Sequence, residues 1–372
     1  MTNGERPFVL HVDDRPDELR PWQEEVDSLG KVHLTVLHPN EVTEEELCRS
    51  SLVLVDLRLD HWPDRENVAP LSLKPVNGLA LLAILQEKTL DLVPKIPRAF
   101  ALYTGAIQDV ARGLPHRPHI ISRAHNLEWI FEKKGGQGNN LSERALRIAE
   151  LAAAVRALPL PWPWDTPEKA AAALSKWLGL PSDATWHDAA WRAIRLCHPP
   201  LHEFAEYTHG IGILQWTLHR ILPYPTFLLG EEHLAARLRV TLESLRYSLD
   251  SLGGLFSKAE YRGQLCSFLG RRWWRAGIEA KLFELTADAP GDLEALREAL
   301  KKRAPTLETV RQARLFPVLD EEFCLKDQLA RQDEVVEIVP DDWPPFADEA
   351  WALREDLEDS PRLKATAVDK EI

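Results

Sequence analysis

PFVLHVDD (residues 7–14) and SLVLVDL (residues 51–57) decide the fold of this chain. Each is a short run of aliphatic and β-branched residues that stays apolar at successive positions, and each runs into aspartate. A strand apolar on both faces is buried on both faces, which is the pattern of parallel sheets covered by helices. KVHLTVL (31–37), RAFALYT (98–104) and HIISR (119–123) complete a set of five strand candidates. Segments near 16–29, 41–50, 77–88, 107–113 and 126–134 read as helices between or after them. This alternation predicts an α/β domain over residues 1–134, a five-stranded parallel sheet wound on both sides. Residues 60–76 carry three prolines and no clean period, so they read as a loop insertion after the third strand.

Outward from that domain, GGQGNN (135–140) is the strongest linker signal, and the pattern then turns helical. Residues 141–318 are expected to form a mainly α-helical domain, and 319–372 an acidic tail with one β-like run, EVVEIV (334–339), and a fraying end. The chain has 372 residues and a formal net charge of −13, and residues 320–372 hold 17 acidic against 6 basic residues. Such a surface argues against nucleic-acid binding as the main activity, because that binding is driven by clustered lysine and arginine. No run of 18 apolar residues occurs and the first residues lack a signal-peptide pattern, so the expectation is a cytoplasmic protein with no membrane span. Cys48, Cys197, Cys266 and Cys324 form no C-x-x-C pair and are expected to be buried thiols.

In open α/β sheets ligands bind outside the carboxyl ends of the strands. Those ends carry Asp13 and Asp14 after the first strand, Asp56 on the third, Thr104 on the fourth and Arg123 on the fifth. Three carboxylates meeting at one edge repel unless a cation lies among them, and oxygen-only ligands suit Mg²⁺. HVDD, LVLVDLRL, NGLALL, LYTGA and IISR, in this order, resemble a response-regulator receiver domain of two-component signalling, which has a flavodoxin-like sheet. The resemblance covers about residues 7–134, roughly a third of the chain. It implies that Asp56 accepts a phosphoryl group from a histidine kinase or phosphotransfer protein. It also implies that Asp13, Asp14, Asp56 and the Arg58 backbone carbonyl hold Mg²⁺, and that Thr104 is the switch hydroxyl. The family's lysine after strand five is matched by Arg123, and the aromatic residue before that lysine by Ile120. Arginine keeps the charge but is a broader fork than an ammonium.

The second half carries weaker signals. His202, Glu206 and His209 share one helical face at a spacing that can chelate zinc, although ordinary half-buried helices show the same spacing. YRGQLCSFLGRRWWRAG combines Arg262, Arg271, Arg272 and Arg275 with Trp273 and Trp274. The simplest reading puts the tryptophans in a core and pairs the arginines with acidic residues 341–359; a protein interface and a nucleic-acid or nucleotide contact are the alternatives. Two functions follow, with an enzyme in the helical half using His202, Glu206 and His209 as a weaker third. One is a response regulator whose receiver-like domain controls a helical module that meets a protein effector. The other is an interaction scaffold or adaptor in a multi-gene bacterial system, such as a defence or conflict system, with no phosphotransfer.

Overall fold

The structure is a computed structural model that describes residues 6–62, 75, 77–133, 141–163, 165–201, 210–286, 291–310 and 314–368. The expected linker 135–140, most of the 60–76 insertion, and His202, Glu206 and His209 lie outside the described residues. The chain falls into two units, Met1–Trp177 with Pro200–His219, and Leu178–Pro199 with Arg220–Ile372.

The first unit contains the parallel sheet. Its strands are β1 (Phe8–Val12), β2 (His33–Leu37), β3 (Ser50–Asp56), β4 (Ala99–Thr104) and β5 (Trp129–Glu132). All neighbours pair parallel in the order β2-β1-β3-β4-β5, the flavodoxin-like arrangement. Every residue of β1, β3 and β4 is buried, as their unbroken apolar runs require, whereas β2 at the edge is half-buried. The α-helices are α1 (Arg20–Ser28), α2 (Glu44–Arg49), α3 (Gly78–Leu90), α4 (Gln108–Ala111), α5 (Pro118–Ala124), α6 (Leu141–Ala157) and α7 (Pro167–Trp177), with a further short helix at Ile211–Trp216. α1 turns Trp22 and Val26 inward, and Asn77 caps α3 by accepting a bond from the Ala80 N–H at 3.1 Å. Leu10, Val53, Val55, Leu82, Leu102 and Ile121 lie at the centre of one core of this unit.

Two sequence expectations are corrected here. HIISR (119–123) is not the fifth strand: Pro118 opens helix α5 at its first position, and His119, Ile120, Ile121 and Ser122 are buried on it. The fifth strand is Trp129–Glu132, inside the segment expected to be helical. A short run apolar on all sides does not distinguish strand from helix, whereas Trp129, Ile130 and Phe131 are residue types that strands favour.

The second unit contains the helices expected, His187–Leu196, Glu231–Leu238, Leu242–Phe256, Arg275–Leu285 and Leu293–Arg303, and adds β-structure beyond the one run, EVVEIV, that the sequence predicts. It holds a mixed four-stranded sheet in the order β10-β11-β8-β9, built from β8 (Leu315–Leu319), β9 (Leu325–Arg331), β10 (Val335–Ile338) and β11 (Ala350–Leu353). A separate antiparallel ribbon joins β6 (Leu228–Leu229) to β7 (Trp273–Trp274). The acidic tail is therefore folded through its described residues, and the end expected to fray, 369–372, lies outside them. Leu319, Val336, Ile338, Ala352, Leu357 and Leu363 form its own buried cluster under the helices Arg354–Asp359 and Pro361–Thr366. Trp273 and Trp274 are buried, and Arg275 makes a two-pronged ion pair with Asp348 of that tail at 2.7 and 2.6 Å. Arg271 and Arg262 pair with Glu260 instead. Of the four cysteines only Cys197 is buried, and Cys324 is exposed. No helix among the described residues is long and apolar enough to cross a membrane.

Candidate functional site at the carboxyl edge of the sheet

Parallel strands present all their carboxyl ends at one edge, so β1, β3, β4 and β5 deliver their last side chains to a common cleft. Its volume is about 480 Å³, and Asp14, Asp56, Arg58, Thr104 and Lys133 line it. Asp13 and Asp14 follow β1 and are 3% and 8% exposed; Asp56 ends β3 at 9%. Thr104 ends β4, and its hydroxyl oxygen accepts a bond from the Ala106 N–H at 3.0 Å.

Among the described residues that line this cleft, Lys133 is the cation paired with Asp13 and Asp56. It follows β5 directly, and its N–H donates to the Thr104 carbonyl at 2.6 Å. Its Nζ donates to Asp56 Oδ2 at 2.7 Å and lies 3.6 Å from Asp13 Oδ2. Arg123, the cation expected from the sequence, sits in α5 instead, because the true fifth strand begins six residues after it. Ile130 precedes Lys133 by the same three residues that separate Ile120 from Arg123, so an aliphatic residue holds that offset in either register. Lys133 was missed because the strand was placed one segment early. The signal available was the aromatic and β-branched run WIF ending just before a lysine pair.

Beneath the ammonium lies a ring stack. Tyr103 packs edge-on against His11 at 5.0 Å and stacks on Trp22 of α1 at 5.4 Å, and Lys133 Nζ is 5.3 Å from the Tyr103 ring centre. Burial pushes the His11 imidazole down to about 3, against the opposing pull of Asp13, so it is neutral. Burial also raises the Asp56 carboxyl above the ordinary carboxylate range. Lys133 pulls it down by charge and hydrogen bond, and Asp13 pushes it up.

Close backbone approach fixes Asp56 from the other side. A Cβ on Gly78, the first residue of α3, would lie 2.0 Å from the Asp56 carbonyl oxygen. Only glycine lets α3 start there, and the Gly78 N–H donates to the Leu57 carbonyl at 2.9 Å.

The three carboxylates divide their partners. Asp13 Oδ1 accepts from the Arg15 N–H at 2.8 Å, and Asp14 Oδ2 accepts from the His61 N–H at 2.5 Å. Arg58 donates its backbone N–H to Asp56, while its guanidinium turns away to Asp109 at 3.0 Å. Among the described residues, no group of three or more His, Cys, Asp or Glu side chains is arranged to hold a metal ion. The donor set is oxygen-only, and Asp13 with Asp56 already shares one cation, the Lys133 ammonium. That pair fits a hydrated Mg²⁺, which takes one or two carboxylates and keeps its waters, and does not form a cage of three.

The comparisons with known proteins add no family. No protein-family model matches the chain, and no curated protein matches it.

Proposed function

We propose that the first unit is a receiver-type signalling domain in which Asp56 accepts a phosphoryl group from a histidine kinase or a phosphotransfer protein. The observation that carries this reading is the Lys133 ammonium held between Asp56 and Asp13 at the carboxyl edge of a 2-1-3-4-5 parallel sheet. In the reaction an Asp56 carboxylate oxygen attacks phosphorus, the bond from phosphorus to the donor imidazole nitrogen breaks, and the imidazole leaves with its electron pair and takes a proton from water. Asp13 and Asp56 would hold Mg²⁺, which neutralises charge on the transferring oxygens. Lys133 and the Thr104 hydroxyl are placed to bind those oxygens afterwards.

Phosphorylation would add about −1.5 to −2 charges beside Lys133. Lys133 also reports to α6: Arg144 donates through Nη1 to the Glu132 carbonyl at 3.0 Å and to the Lys133 carbonyl. A change in the Lys133 side chain therefore acts on the backbone that α6 grips, and through α6 on a protein effector. The test is incubation with acetyl phosphate and Mg²⁺, read by intact mass. One phosphate per chain is expected, labile to hydroxylamine and abolished by Asp56→Asn. A native chain that takes up none refutes phosphotransfer.

The second reading is a scaffold in which the same cluster is structural. What favours it is that Asp14 is already engaged by His61, and Asp56 by Lys133 and the Arg58 N–H. In that case Asp56→Asn leaves partner capture unchanged and the native chain accepts no phosphate.

A further inference from the structure

The amino edge of the same sheet, opposite the carboxylate cleft, holds a second cavity of about 560 Å³. Phe8 and His33, which open β1 and β2, line it beside Arg49 from the end of α2 and Val155 and Arg156 from α6. Arg6 completes the set, so three guanidinium groups line the cavity, and no aspartate or glutamate does so among the described residues.

We propose that this cavity binds a nucleotide-sized amphipathic anion, a planar ring joined to a phosphate. Its volume lies within the range of about 300–1,000 Å³ typical of small-molecule sites. The charge is of one sign, and guanidinium forks match phosphate oxygens in geometry as well as charge. A wall of planar groups for the ring is already present. The Arg49 guanidinium lies 4.8 Å from the Phe8 ring centre, and the Phe8 and His33 rings are 5.7 Å apart. A planar ring can lie against the Arg49 guanidinium or the His33 ring, and aromatic rings and guanidinium planes accept any base face. Leu160, 47% exposed on the cavity lining, adds apolar surface that a bare inorganic anion would not use. The site is separate from the proposed phosphoryl cleft and shares no lining residue with it.

Titration calorimetry of the full chain with adenosine monophosphate, guanosine monophosphate, adenosine and inorganic phosphate tests this. Saturable binding of at least one nucleotide is expected, with adenosine and phosphate at least tenfold weaker and Arg49→Ala at least tenfold weaker than the native chain. A second readout needs no variant: Cys48 lines the cavity, so bound nucleotide should slow its alkylation by iodoacetamide at least threefold while exposed Cys324 reacts unchanged. The proposal is overturned if neither nucleotide binds more tightly than inorganic phosphate, if adenosine binds as well as its phosphate, or if Cys48 is not protected under saturating nucleotide.

Discussion

Glu128→Gln should flatten the pH dependence of stability. Glu128 stands at the entrance to β5 and is 3% exposed. Its carboxylate accepts from the Phe100 N–H at 2.5 Å and from Gln215 Nε2 at 2.9 Å, and neither donor carries charge. Burial therefore dominates over these bonds and pushes the carboxyl from 4.5 up to about 7. An acid raised in the folded state holds its proton more tightly there than in the unfolded chain. Its contribution is fully present below 4.5, falls by about 1.4 kcal/mol for each pH unit between, and is lost above 7. The gap between 4.5 and about 7 amounts to about 3 kcal/mol in all, of which about 2 kcal/mol falls between pH 5.5 and 7. Glutamine keeps the shape and one acceptor but does not titrate. Urea unfolding followed by tryptophan fluorescence at pH 5.5, 6.5, 7.0 and 8.0 gives the difference between native and variant. His119 and His219, both lowered by burial, impose the opposite slope on native and variant alike and so cancel. The native chain should lose about 2 kcal/mol relative to the variant from pH 5.5 to 7. Parallel curves would refute the burial argument.

Gly78→Ala should destabilise the chain by about 1–3 kcal/mol, the usual range for overpacking, because its Cβ would meet the Asp56 carbonyl at 2.0 Å. It should also slow phosphate uptake from acetyl phosphate; an unchanged rate with an unchanged melting point would contradict the contact. Lys133→Ala leaves the Asp13 and Asp56 carboxylates without their shared cation, at a cost of about 1.5–3 kcal/mol in a urea titration. Raised by burial, Asp56 should lose its nucleophilic carboxylate form at a higher pH than an ordinary aspartate, so uptake of phosphate should fall early on acidification. A rate flat from pH 7 to 4 would speak against that. In the second unit, a double-mutant cycle on Arg275→Ala and Asp348→Asn should return a coupling of about 1–3 kcal/mol for the half-buried two-pronged pair, and a coupling near zero would make it ornamental.

Four strands of the sheet were legible because 7–12, 51–57 and 98–104 are largely apolar runs and 31–37 alternates polar and apolar residues, the pattern of a half-buried edge strand. The fifth was not, because HIISR and EWIFE are both short apolar runs whose periods do not separate strand from helix. What distinguishes them is local: Pro118 can open a helix, and Trp129 and Phe131 favour a pleated surface. Asp13, Asp14, Asp56 and Thr104 were readable because a strand's end fixes its side chain's destination, so misplacing one strand cost only the cation. The sheet in the second unit was hidden for a different reason. β10 was legible as EVVEIV (334–339), but β9 is LKDQLAR, a largely exposed strand whose polarity resembles a loop, and the acidic composition of 320–372 masked the short buried run of β11. Charge describes a surface and leaves open whether a core lies beneath it.

Lys133 joins the two ends of the proposed mechanism in one residue. Its side chain belongs to the carboxylates, at 2.7 Å from Asp56, while its carbonyl belongs to Arg144 of α6 and its N–H to the end of β4. A flexible ammonium alone would transmit little, because its stem can rotate without moving the chain. Here the ammonium lies over Tyr103, which is packed against His11 and Trp22, and is held between Asp56 and Asp13, so the side chain has few places to go. New charge on Asp56 would draw the ammonium away from Asp13 and off that ring, and the strain would reach the carbonyl that Arg144 holds. Arg144→Ala separates the two halves of this argument. Phosphate uptake should continue at the native rate, because Arg144 does not touch Asp56, while the protection of α6 amides against hydrogen exchange should stop responding to acetyl phosphate. An α6 that still responds in the variant would show that the signal leaves the cleft by another route.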